Sequence, residues 1–165
     1  MTTIDSKRLR ATLGAFTTGV TVITTMDAGG QRYGVTANSF SSVSLDPPLV
    51  LWSQATTSRS HPAFRDTDRF VVNILAADQI PVSERFAKSG DDKFAGIEVD
   101  VGLSGLPIIR GASAFLECRK VATWPGGDHV IYLGHVENLF RGERAPLAFR
   151  DGQYLCDLAQ ATAEA

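Results

Sequence analysis

The run SAFLECRKVATW at residues 113–124, followed by PGGD at 125–128 and HVIYLGHVENLF at 129–140, decides how this chain folds. Two long stretches rich in β-branched and aromatic residues flank a Pro-Gly-Gly turn, so the pair reads as a hairpin of antiparallel strands. More strand-like runs lie upstream: GVTVITT (19–25), RYGVTA (32–37), PPLVLWS (47–53) and DRFVVNIL (68–75). The turn signal DAGGQ (27–31) predicts a hairpin between the first two of these. Downstream, APLAFRDGQYLCDL (145–158) offers one more strand pair or strand end.

Helical signals are few. DSKRLRATLGAF (5–16) carries Leu9, Leu13 and Phe16 at near-helical spacing. SHPAFRD (60–66) reads as a helical turn with Ser60 as N-cap and Pro62 in the first turn. DQIPVSERFAKSG (78–90) is amphipathic, with Ile80, Phe86 and Ala87 inward and Gly90 closing it. Many strands joined by short turns predict a mainly β fold, an antiparallel barrel with peripheral helices rather than an alternating doubly wound sheet. No internal repeat, low-complexity segment or linker interrupts the 165 residues, which suit a single domain over 1–165.

Composition narrows the partners. A net charge of −2 and no basic run argue against nucleic acid bound through its phosphates and against a membrane-surface patch. The start, MTTIDSKRLR, is polar and lacks a secretory core, and no stretch approaches the roughly 20 apolar residues that span a bilayer. A cytoplasmic location is therefore expected. Cys118 and Cys156 sit far apart in strand-like runs, which suits reduced thiols and leaves a disulfide open at this stage. The three histidines are scattered, and no Cys or His cluster has metal-ligand spacing.

The stretch YGVTANSFSSVSLDPPLVLWS (33–53) holds one acidic residue and no basic one among many small polar side chains. It has two readings. Ser and Thr bond nearby backbone in turns, which would make NSFSSVS a plain crossover between strands. Alternatively, its hydroxyls and amides meet an uncharged, acceptor-rich ring edge such as that of an isoalloxazine. SQATTSRSHP (53–62) supplies a second hydroxyl-rich patch with Arg59 just before a helix start. Walker, GxGxxG and nucleophile-elbow patterns are absent. From spacing alone, GGDH (126–129) is a hairpin tip whose histidine is solvated, and Asp128 and His129 should point to opposite faces.

Taken together, FTTGVTVITT (16–25), GVTANSFSSVSLDPPLVLWS (34–53), RFVVNILA (69–76), SERFA (83–87), DKFAG (92–96) and GGDHVIYLGHV (126–136) occur in one order. In that order they resemble the short-chain flavin reductase family with the FMN-binding split-barrel fold, over about residues 8–155. Its members are the reductase components of two-component flavin-dependent monooxygenases. The resemblance implies a homodimer that binds FMN or FAD near the subunit interface and oxidises NADH. Reduced flavin then passes to a separate monooxygenase. By position, Thr36, Ala37, Asn38 and Ser39 would line the isoalloxazine edge, with Ser53 and Gln54 touching ring or ribityl. Ser58 and Ser60 would hold phosphate with charge from Arg59, and Lys93 and Phe94 would close over the flavin. His129 would contact the nicotinamide nucleotide, and no residue need act as nucleophile, acid or base. Trp52 falls at a position that varies in the family. The lack of an obvious Arg pair for a 2′-phosphate favours NADH over NADPH. Two other readings stay open here: a flavin-binding carrier or sensor without turnover, and a reductase of another acceptor such as a corrinoid or ferric complex.

Overall fold

The long hairpin forms where its sequence predicts, and it organises everything else. A computed structural model describes residues 4–90 and 92–155; Cys156, the far end of the last predicted strand pair, lies outside the described residues. In chain order the elements are α1 (Ser6–Gly14), β1 (Thr18–Gly19), β2 (Thr21–Met26), β3 (Arg32–Ala37), β4 (Ser41–Leu45) and β5 (Pro48–Ala55). Then come α2 (His61–Asp66), β6 (Arg69–Ile74), α3 (Ile80–Ala87), β7 (Val99–Val101) and β8 (Pro107–Ile109). The hairpin strands β9 (Ala114–Gly126) and β10 (His129–Arg141) follow, then β11 (Ala148–Arg150) and β12 (Gln153–Leu155). Among the described residues no helix is long and apolar enough to cross a membrane.

Seven strands form one antiparallel sheet in the order β3-β2-β6-β9-β10-β5-β4. The two ends of that order, β3 and β4, are joined by residues 38–40 alone. So short a connection forces the sheet to curl until its edges meet, which makes a mainly β split barrel with a seam beside β3. The ladder between β4 and β5 ends at the pair Ser41–Leu51. Beyond it, the Ser39 side chain does what a backbone would do: its Oγ accepts the Ser53 N–H at 3.0 Å and donates to the Ser53 carbonyl at 2.9 Å. The neutral NSFSSVS stretch is thus largely an edge strand, not a loop. Its hydroxyl-rich composition imitates a turn while its backbone pairs with β5.

Strand alternation builds a core on both faces of the central strands. Inside the barrel, Trp52 stacks on Tyr132 (centroids 4.9 Å apart) and meets Phe64 and Phe70 edge-on. On the other face Val22, Leu75, Ile109 and Leu147 pack with Phe86 from α3. Trp52 is therefore core. Cys118 is a free, buried thiol in the barrel; desolvation, then the nearby Glu137 and Glu117 charges, push its pKa up to about 12.

The helices depart from expectation at their ends. Asp5 caps α1 by accepting the Lys7 and Arg8 N–H groups, but the helix buries none of its residues, and Leu13 and Phe16 are 65% and 77% exposed. The apolar spacing was real, but it faces solvent. α3 stops at Ala87, short of Gly90, and Ala87 is exposed while Ser83 is fully buried. Ser60 occupies the cap position of α2 without a side-chain capping bond.

Ser39→Ala should leave the Ser53 N–H and carbonyl without partners at the seam, a cost of about 1–3 kcal/mol. Amide exchange at Ser53 should accelerate and the melting temperature should fall, whereas Ser39→Thr, which keeps the hydroxyl, should retain most protection. Unchanged Ser53 exchange in Ser39→Ala would show that the hydroxyl does not close the seam.

Candidate functional site

Three segments far apart in sequence converge on a cavity of about 560 Å³, within the size range of small-molecule sites. Its walls are Arg32, Tyr33, Gly34 and Val35 of β3, the connection from Ala55 to Ser60, and the segment around Lys88, Lys93 and Phe94. Arg32, Arg59, Lys88 and Lys93 make it cationic, with Asp92 the opposing carboxylate among the described lining residues. Gly34 permits the close packing of its wall: a Cβ there would come within 2.5 Å of the Phe86 ring. Phe86 in turn meets Phe94 edge-on at 4.9 Å. Lys93 acts as a strut, donating to the Phe86 carbonyl at 2.9 Å and to the Gly34 carbonyl at 3.4 Å. It thereby caps the last turn of α3, and burial pushes its pKa down.

Ser58 and Ser60 line this cavity with their hydroxyl oxygens 3.1 Å apart. Gln54, expected to touch the ring or ribityl of the ligand, is 3% exposed and turned into the protein. Its Nε2 donates to Ser60 at 3.0 Å and more weakly to Ser58 at 3.4 Å, and His61 Nδ1 lies 3.4 Å from its Oε1. The signal for this was present in β5: Val50 and Trp52 face the core, so the period of two sends Gln54 the same way and Ser53 outward.

The 36–39 segment borders the seam. Much of its polarity is already committed: Thr36 donates to the Ser83 carbonyl at 2.7 Å, and the Ala37 carbonyl accepts from Thr21 at 2.6 Å. The Ser39 hydroxyl is held by Ser53. Asn38 is exposed, and among the described residues its carboxamide has no hydrogen-bond partner. Because the Gly34 carbonyl points to Lys93 and away from β2, antiparallel alternation directs the N–H groups of Gly34 and Thr36 to the same open edge. Asn38 and Ser39 also border a second, larger cavity of about 1060 Å³, walled by the apolar Leu13 and Phe16 of the α1 region and Phe149, with Lys7, Arg10, Arg150 and Asp151 also in its lining. Thr36, Ala37, Ser53, Gln54 and His129 line neither cavity.

His129 stands opposite Ala55 in the ladder, beside the rim of the cationic cavity. Thr56 pins the hairpin tip there: its N–H and hydroxyl both donate to the Asp128 carbonyl, at 3.0 and 3.1 Å. Asp128 and His129 do not point apart, contrary to expectation. Asp128 precedes β10 and is free of strand alternation, so its Oδ1 sits 2.7 Å from His129 Nδ1. That hydrogen bond, with the charge of His129, holds the Asp128 carboxyl below its usual range. The imidazole remains 42% exposed. The sequence reading missed Arg32 and Lys88, whose only signal was a positive charge at the end of a strand and just past a helix.

The flavin reductase-like domain family matches residues 13–155. The FMN reductase (NADH) SmoA of Agrobacterium fabrum is 44% identical over 150 residues, covering 91% of this chain and 85% of that protein. HsaB of Rhodococcus jostii, the reductase subunit of a flavin-dependent monooxygenase, is 44% identical over 153 residues, covering 92% of this chain and 77% of that protein. The solved structure of the NADH:FAD oxidoreductase SgcE6 of Streptomyces globisporus, in complex with NAD and FAD fragments, aligns with a TM-score of 0.87 at 37% identity. That alignment covers 94% of this chain and 96% of SgcE6. With this extent of match in sequence and fold, the chain belongs to the flavin reductase-like domain family.

Proposed function

We propose that this chain is an NADH-dependent flavin reductase that supplies reduced flavin to a separate monooxygenase. The observation that carries the reading is the continuity of two surfaces. A cationic, hydroxyl-lined cavity at Ser58 and Ser60 adjoins the open edge of β3, which leads to Asn38. From Val35 to Asn38 the edge spans about 10 Å at the strand rise. A flavin phosphate suits the first surface, and the acceptor edge of an isoalloxazine suits the second, where N–H groups and a free carboxamide are presented. The relatives named FMN reductase, reductase subunit and NADH:FAD oxidoreductase support the same assignment.

The chemistry asks for orientation rather than for a reactive side chain. When bound, the flavin supplies an N5 that accepts the hydride given up by nicotinamide C4, and a solvent proton completes its reduction. The N–H groups of Gly34 and Thr36, together with Asn38, offer donors to the ring edge where negative charge develops. Ser58 and Ser60 hold the phosphate end, and Arg59 adds positive charge. Lys93 and Phe94 pack the closing wall. His129, fixed by Asp128 and the Thr56 contact, stands where it can hold the nicotinamide nucleotide. Ser53 lies with it on the outer face of the sheet.

A homodimer completes the reading. The apolar residues of the α1 region border Asn38 and Ser39 and form a face that a second copy would cover, and Leu45 at the far end of β4 is a further apolar residue, 94% exposed. A cytoplasmic setting suits the free thiol of Cys118.

With FMN added, the protein should oxidise NADH faster than NADPH, and reduced flavin should leave it. Binding without NADH oxidation would make it a carrier instead. His129→Ala should raise the KM for NADH about 3–10-fold while leaving flavin affinity near wild type, the signature of a lost ground-state contact to the second substrate. A variant that loses flavin but keeps its NADH kinetics would remove His129 from the nicotinamide site.

Light scattering should give a mass twice the 17.7 kDa of the chain, and Leu13→Asp in α1 should shift it toward one chain. A wild-type protein that is active at 17.7 kDa would refute the dimer.

A further inference from the structure

Gln54 contributes nothing to the wall of the cationic cavity, yet it holds the two serines that do. Its carboxamide is anchored from behind. His61 Nδ1 lies 3.4 Å from Oε1 and also meets the Tyr132 hydroxyl at 3.2 Å, and the Tyr132 ring is stacked on Trp52 in the core. A buried amide tied to the packed interior has little freedom to turn. In this arrangement Nε2 gives a proton to each serine oxygen. The two hydroxyl hydrogens must then go elsewhere. The contact between Ser58 and Ser60 uses one of them. The other is left to point into the cavity, and both oxygens are prevented from turning their hydrogens inward to Gln54.

We infer that Gln54 is a positioning residue that sets the polarity of the Ser58–Ser60 pair, so that the hydroxyl hydrogen left over from their mutual contact is donated to a phosphate monoester and the site selects flavin phosphates over riboflavin. This rests on the reading of the cavity as the phosphate end of a flavin site. Glutamate at position 54 would reverse the polarity, because a carboxylate only accepts and would draw both hydroxyl hydrogens inward. Methionine would fill the space without donating.

The test is a fluorescence titration of FMN and of riboflavin against wild type, Gln54→Glu, Gln54→Met and the double variant Ser58→Ala/Ser60→Ala. Wild type should prefer FMN by about tenfold or more, the worth of hydrogen bonds to a charged group. Each variant should lose most of that preference while its riboflavin affinity stays within about twofold of wild type. If the serine pair loses the preference but both Gln54 variants keep it, Gln54 does not position the hydroxyls. If the Gln54 variants weaken FMN and riboflavin equally, the network is merely structural and the inference fails. A wild type that binds FMN and riboflavin alike would instead overturn the phosphate-site reading itself.

Discussion

Three residues, 38–40, must cross from one edge of a seven-stranded sheet to the other, and the rest of the molecule follows from that constraint. The crossing curls the sheet and leaves a seam that backbone ladders do not complete around Ser39. At that seam the hydroxyl of Ser39 takes over from a peptide group. The adjoining edge of β3 keeps N–H groups for other use. A closed barrel would have consumed those donors, and an open sheet would have left them to solvent. A split barrel instead presents them beside folded walls.

Neutral and charged groups occupy different places along this seam. Asn38, Ser39 and Ser53 are themselves uncharged, although Lys7, Arg10, Arg150 and Asp151 line the cavity that Asn38 and Ser39 border, whereas Arg32, Arg59, Lys88 and Lys93 line the cavity at the other end. Neutral donors can stabilise developing charge on a ring without the grip of a fixed cation. In the proposed site, cations at the far end would attract the phosphate, which carries the same charge before and after reduction, so their hold would not change with redox state. Release of reduced flavin would then depend on the contacts at the ring end of that proposed site, where Asn38 and the β3 N–H groups are neutral donors.

Much of this was legible in the sequence because it depends on local rules. The β9–β10 hairpin was visible as two long apolar-rich runs around Gly127, whose φ of +71° suits glycine. β4 was not, because its residues are mostly exposed and Ser-rich, and a solvated edge strand has the composition of a turn. The exposed face of α1 could not be told from a buried one, since helical spacing shows that an apolar face exists and not what covers it. Gln54 was assigned to the ligand by resemblance, although the alternation through Val50 and Trp52 already sent it inward. The Asp128–His129 contact escaped because strand alternation was extended one residue into a turn.

A flavin laid along the seam would have its phosphate at Ser58 and Ser60 and its ring edge on β3 near Asn38. A crystal structure of the protein with FMN tests this most directly. Phosphate oxygens should lie at hydrogen-bond distance, about 3 Å, from the Ser58 and Ser60 hydroxyls, with the pyrimidine edge of the ring facing the Thr36 N–H and Asn38. A flavin seated wholly in the larger cavity beside α1, with its phosphate away from the two serines, would contradict this placement.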